Sequence, residues 1–478
     1  MDLKSPSPFP SPSPSPCADE IENIISVRGD GFSSLPQDVV HHILSPLPIS
    51  DVIRVGSSSK KYRQICSSSS SLNFVAFPSE STATFEKRSE LLSSLDSFLL
   101  RRGNHRVQNF HLDWDCQYHC GRETNIPKCW DVETSRVFSW IRNAVDCHVQ
   151  NLSVSFRTAV VPFLQFAFGG SPQTEFPSDV LTGRSLRSVD LDMKFATIKA
   201  RNLSLSHHVS NLLRLHLKNV TVEDDEAFCK WISLACIFIK DLVLEDVHGL
   251  GNIAVESASM ELFKVHFPSS ASLCHVHISG EKLERIGITW TFRTAQRKSK
   301  SLKISAPNLK YLRWSGNMMS HQNLGEFNFL ENVDLDLDEY GVYYMDNTTS
   351  HQFLSSIQGV KSLTLNQWSL KTLFKEGCTP PPLLNVSYLG MSIQDFCDES
   401  LVPTMVTLFK SLPNLHTLEI IQLNETGVLN GLTELSLKDR INDVRIEVSY
   451  GVHLIEFVRY ILERAQILKK LVVICSSK

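Results

Sequence analysis

Cys116, His119, Cys120 and Cys129 are side chains of the kinds that hold zinc, because thiolate and imidazole are the ligands that ion prefers. Their spacing fits no regular structural zinc pattern, so they are expected to be thiols in a spacer rather than a metal site. A second group, Arg293, Arg297, Lys298, Lys300 and Lys303, has the charge to touch phosphate or serve nuclear import. It lacks the interleaved aromatic residues of a nucleic-acid surface and reads as a solvated loop. The sequence has no phosphate-cradling glycine loop, no G-x-S-x-G elbow and no H-E-x-x-H pair. No catalytic residue, cofactor or metal is therefore expected, and the chain should act by binding.

The elements that would position binding residues come next. At 478 residues the chain exceeds one compact core, which leaves several domains or an elongated repeat. Its formal charge of -4 is near balance and argues against a global nucleic-acid or membrane role. No secretory signal pattern and no bilayer-length apolar run is found, so a cytoplasmic or nuclear location with reduced cysteines is expected. Residues 1–30 form a leader, with proline at every second position from Pro6 to Pro16 among serines and Phe9, which is expected to be disordered.

Beyond about residue 105, a short phrase recurs: apolar-x-x-apolar-x-apolar. Examples are Leu186/Val189/Leu191, Leu212/Leu215/Leu217, Ile239/Leu242/Leu244, Leu309/Leu312/Trp314 and Leu330/Val333/Leu335. Many copies start roughly 20 to 30 residues apart, a leucine-rich-repeat period. In a strand, alternate side chains face opposite ways, so each coil leaves an apolar flank that only the next coil covers. A solenoid over 79–440 is expected, with ordinary sandwich strands as the alternative suggested by the crowded stretch 262–288. The spacer Glu226–Cys236 has helical spacing of Phe228, Trp231 and Ile232. Near the end, Leu454, Phe457, Val458, Ile461 and Leu462 predict an amphipathic helix over Val452–Ala465 that closes the solenoid.

The segment 32–66 has another texture. Pro36 suits a first helical turn, and Val39, Val40, Ile43, Leu44 and Leu47 make a stripe that ends at Leu47-Pro48. Ser50 can cap a second helix, and Lys60 to Ile65 suggests a third. So short a unit cannot cover its own apolar side chains and should bury some against a partner.

Leu35-Pro36, Ile43-Leu44-Ser45, Leu47-Pro48 and Ser59-Lys60-Lys61-Tyr62-Arg63 together resemble an F-box. The chain as a whole is similar to the plant F-box/leucine-rich-repeat family, on the phrase from Ser97 to Val107, on Leu186 to Leu191 and on Ala306 to Leu312. The tail 441–478 resembles the family's C-terminal FBD module. The resemblance implies an α/β fold: an N-terminal three-helix F-box at 31–78, then a leucine-rich-repeat solenoid with a parallel sheet on its concave face. It also implies a substrate-recognition subunit of a Skp-cullin-F-box ubiquitin ligase, with no enzyme activity of its own. Leu35, Pro36, Val39, Ile43, Leu44, Leu47, Pro48, Val52, Ile53 and Tyr62 would contact a Skp-type adaptor and, through it, a cullin. Pro46 and Gly56-Ser57-Ser58 depart from the family's pattern, and the alternative is a repeat scaffold with a degenerate F-box and no ligase role.

Strand alternation also nominates the outward positions of the repeats: Ser188, Asp190 and Asp192, then Arg214, His216 and Lys218, then Asp241 and Glu245, then His275 and His277, and so on. On this reading the face alternates in sign, with a basic middle from Arg285 to Arg313 flanked by acidic coils. Arg285, Tyr311 and Arg313 are the expected contacts for an unidentified target protein that offers an acidic or phosphorylated segment.

Overall fold

The computed structural model describes residues 35–75, 85–115, 126–157, 174–194, 196–204, 209–268, 272–293, 299–319, 321–339, 345–375, 377–394, 398, 400–422, 441–448, 458–459, 462–463 and 467–475. The Ser/Pro leader and most of the helix predicted over Val452–Ala465 lie outside these residues.

Three short helices open the described chain: α1 (Gln37–Leu44), α2 (Ile49–Ser58) and α3 (Lys60–Ser67). Pro36 and Pro48 each stand in extended geometry just before a helix, so α2 begins at Ile49 without using Ser50 as its cap. Ser59 caps α3 by accepting a hydrogen bond from the Tyr62 amide. Val40, Leu44, Ile49, Val52 and Cys66 meet in the core of this unit. Gly56 is buried where α2 crosses α3. A Cβ built on it would lie 3.4 Å from the Cys66 Cβ and 3.6 Å from the Arg63 Cα, in ordinary van der Waals contact, so the crossing has room for a methyl group and for little more.

A single parallel sheet of fifteen strands, among the described residues, runs from Ser71–Val75 to Lys470–Cys475 with its strands in chain order. It crosses both of the expected boundaries, beginning inside 31–78 and continuing past 440. Alternation explains it: Leu215 and Leu217 of Arg214–Lys218 enter the core, and Arg214, His216 and Lys218 face out. Each coil is too thin to bury both flanks, so stacking supplies the core.

The opposite side of the coils carries two smaller parallel sheets. One takes Thr174–Phe176, Ala196–Lys199 and Thr221–Glu223, and the other Asn252–Glu256, His275–Ser279, Ser301–Ser305 and His321–Asn323. This accounts for the crowding at 262–288: Leu262–Phe267 and Arg285–Trp290 are neighbours in the main sheet, and His275–Ser279 lies between them on the other side. The sandwich alternative is set aside. Elsewhere helices take that side, among them α4 (Phe85–Arg102), α5 (Ile126–Asp146), α6 (Ala200–Ser204) and α7 (Asp225–Leu234), the last from the spacer read as helical. Later coils use α8 (Asn347–Ser356), α9 (Gln367–Leu373) and α10 (Leu401–Ser411).

Four asparagines stitch successive coils. Three residues ahead of their strands, Asn211, Asn308, Asn385 and Asn414 donate from Nδ2 to the carbonyls of Arg184, Glu281, Gln358 and Leu384, at 2.8, 2.7, 3.4 and 2.8 Å. The helical unit is fastened to the solenoid in a similar way. Arg102, 1% exposed, donates to the carbonyls of Ser69 and Arg106 at 2.9 Å each and to that of His105. Ser71 and Asn73 of the first strand reach back to the carbonyls of Ser45 and Pro46.

Candidate protein-interaction surfaces

Helix α1 is apolar on two faces. Val40 and Leu44 point into the core, whereas Val39 and Ile43 face outward at 42% and 42% exposed, with Leu35, 38% exposed, just ahead of the helix. Such a face gains nothing from water. Covering what remains exposed of each side chain would contribute on the order of 1 kcal/mol apiece. Among the other expected adaptor contacts Pro36 is exposed, and Leu47, Pro48, Ile53 and Tyr62 are half-buried around the α1–α2–α3 unit. Leu44 and Val52 are 1% and 2% exposed, so in this arrangement they hold the helices together and present no surface. Of the residues that depart from the family pattern, Gly56 serves the helix crossing, and Ser57 and Ser58 are exposed.

On the main sheet, Arg285 stands opposite Tyr311 in the neighbouring strand, and Arg313 stands opposite Gly287. The three residues expected at a target site are thus brought together around a position with no side chain. Arg313 Nε lies 3.5 Å from Asp334 Oδ2. Burial pushes the Asp334 carboxyl upward, opposed by Arg313, and burial also raises the Tyr311 hydroxyl, with Asp334 adding to it.

Coils of opposite sign lie side by side, the strand of Arg214, His216 and Lys218 between the strands of Asp190 and Asp192 and of Asp241. Cations pair with carboxylates across adjacent strands: Arg214 with Asp241 at 3.0 Å, Lys264 with Glu245 at 2.8 Å, Lys218 with Asp192 at 3.7 Å and Arg445 with Glu419 at 3.2 Å. His216 holds Asp190 at 3.1 Å and faces Glu245 at 3.7 Å, and its hydrogen bond to Asp190 raises its pKa. Arg285 stands outside these pairs among the described residues. His275 and His277 must be removed from this face, because their strand belongs to the four-stranded sheet.

The family comparison matches the F-box domain to residues 32–74, the stretch that contains the three helices and all but the last residue of the first strand of the sheet. The chain carries an F-box domain. Over most of its length it is similar to F-box proteins of Arabidopsis thaliana. An FBD-associated F-box protein is 23% identical over 469 residues, covering 93% of this chain and 89% of that protein. An F-box/LRR-repeat protein is 24% identical over 423 residues, 83% of this chain and 70% of its own length, and F-box/LRR-repeat protein 13 is 24% identical over 461 residues, 92% and 89%.

Outside the F-box and the sheet face, Lys300 departs from its reading as a loop cation. It is buried, donates to the Leu273 carbonyl and lies 5.9 and 5.7 Å from the ring centroids of Trp290 and Phe292, and burial lowers its pKa. Arg297, Lys298, Cys116, His119 and Cys120 and the side chain of Cys129 lie outside the described residues. Among the described residues no cluster of three or more metal-type ligands occurs, and no helix is long and apolar enough to cross a membrane. Sequence reasoning missed the asparagine ladder and Arg102. Asn-Leu or Asn-Val just ahead of the strand phrase was the available signal for the ladder, and Arg102 had none.

Proposed function

We propose that the chain is the substrate-recognition subunit of a Skp-cullin-F-box ubiquitin ligase. The F-box docks a Skp-type adaptor, which links it to a cullin, and the outward face of the main sheet captures a target protein. The observation that carries this reading is the exposed aliphatic set of Val39 and Ile43, with Leu35 just before them, on a helix whose other face already fills the F-box core. Pro36, Leu47, Pro48, Ile53 and Tyr62 complete the adaptor surface, with Leu44 and Val52 supporting it from beneath. Arg285, Tyr311 and Arg313, around Gly287, receive an acidic or phosphorylated segment of the target, and residues 441–478 serve as an FBD-like cap. No chemistry is assigned to the chain itself. It raises the effective concentration of a target lysine near a ubiquitin thioester held elsewhere in the ligase.

The test is co-purification with a Skp-type adaptor. Val39→Asp with Ile43→Asp should abolish it, and Arg285→Glu with Arg313→Glu should leave it intact. If the wild-type chain captures no adaptor, the ligase reading fails. If capture then arises only with Ser57→Val and Ser58→Leu, the chain is a repeat scaffold with a degenerate F-box.

A further inference from the structure

Strand Asn252–Glu256 is the first of the four-stranded sheet, and its outer edge carries backbone N–H groups at every second residue. Helix α7 occupies all three. Asp225 Oδ2 accepts from the Asn252 amide at 2.7 Å, Cys229 Sγ from the Ala254 amide at 3.3 Å and Ser233 Oγ from the Glu256 amide at 3.1 Å. Residues four apart on a helix advance by about 6 Å, and alternate strand residues by about 6.6 Å, so helix stripe and strand edge stay in step. Burial pushes the Cys229 thiol up to about 11, which keeps its proton available to the Asn252 carbonyl at 3.8 Å. This edge is closed to an added strand.

Beside this contact lies a groove of about 470 Å3, with α7 along one side and the outward side chains of Ala254, Glu256 and His277 on the other. Its charges are Asp225, Glu226 and Glu256 against Lys230, and Lys230 is already held by Glu226 at 2.6 Å. The excess is negative. At the C-terminal end of α7, Leu234 is 74% exposed, and Ile237 and Phe238 follow it at 46% and 48%. The Ser210 amide, bonded to the Ala235 carbonyl, sets the exposed Val209 alongside them. An apolar patch at the end of an acidic groove suits a ligand with both characters.

We propose that this groove docks a short basic segment of a partner protein, a cation paired with Glu256 and one apolar side chain laid on Leu234, Ile237 and Phe238. Recognition is by side chains, since the strand edge is filled, and it is independent of the main sheet on the opposite side of the coils.

The test titrates the purified full-length chain into fluorescent hexapeptide probes, read by polarisation. One probe alternates lysine and leucine, one alternates glutamate and leucine, and one is the lysine probe N-methylated at every second amide. The lysine probe should bind, the glutamate probe about tenfold or more weaker, and N-methylation should change nothing. Glu256→Lys with Leu234→Ser, both at exposed positions and checked by an unchanged melting temperature, should weaken the lysine probe about tenfold. Arg285→Glu with Arg313→Glu should leave it unaffected. Equal binding of the lysine and glutamate probes, no loss in the groove variant, or loss on N-methylation would each overturn the proposal. So would a self-associating chain in which Leu234→Asp restores the monomer and the probe does not compete, because the patch would then join copies of this chain.

Discussion

Helix α1 of the F-box and the main sheet each turn one face inward and one outward, but they fill the outer face in opposite ways. On α1 the outer face is aliphatic, with Val39 and Ile43, and Leu35 just ahead of the helix, offered to solvent. On the sheet it is charged and already satisfied from strand to strand, as in Arg214–Asp241 and Lys264–Glu245. An aliphatic stripe contributes affinity wherever a matching apolar surface arrives and carries little information about the partner. A ladder of exposed pairs contributes little to stability, and it discriminates between partners because a ligand must replace each pair it breaks. On the proposed function, the stripe suits one constant partner and the sheet a selected one.

The largest effect expected from breaking this contrast lies at neighbouring residues of α1. Leu44→Asp buries a carboxylate in the F-box core and should cost at least about 4 kcal/mol, seen as early unfolding in a denaturant melt. Ile43→Asp, one residue away on the outer face, should stay within about 0.5 kcal/mol of wild type while adaptor capture falls. If both variants unfold alike, the two-faced description of α1 is wrong.

Gly56 offers an intermediate test. The modest 3.4 Å approach to Cys66 should let Gly56→Ala fit and gain up to about 1 kcal/mol of helix stability, whereas Gly56→Leu should overpack α2 against α3 and lose about 1–3 kcal/mol. Equal tolerance of both, by thermal melting, would mean that the crossing is loose.

On the sheet, effects on stability should be smaller. Arg313→Glu removes the pair with Asp334 and should cost no more than about 1 kcal/mol, yet, together with Arg285→Glu, it should change which proteins are recovered with the chain. Identical recovered proteins would move the target site off this face.

His216 gives the smallest effect. Its pKa is raised in the folded state above an unfolded value of about 6.5, so its pairing with Asp190 stabilises fully below that pH and is lost as pH rises through the folded value. The wild type should lose slightly more stability than His216→Gln between pH 6 and 8, by less than about 1 kcal/mol. Parallel pH profiles for the two would remove His216 from the ladder's energetics.

The repeat phrase determined the main sheet because a period of two tells inward from outward along one strand: Val189 and Leu191 are buried and Asp190 is exposed, as read. The same period cannot say which of two sheets a strand joins, so alternation alone assigns His275 and His277 to the wrong side of the coil. The F-box motif was legible because its apolar residues are close in sequence and its turns are marked by Pro36 and Pro48. Division of that stripe into a core half at Val40 and Leu44 and a free half at Val39 and Ile43 depended on how α2 and α3 pack, which involves residues some 20 positions away. Charge pairing on the sheet depended in the same way on register between coils more than 20 residues apart, as with Arg313 and Asp334. Local spacing dictates which way a side chain points, and only the stacked coils decide what it meets there.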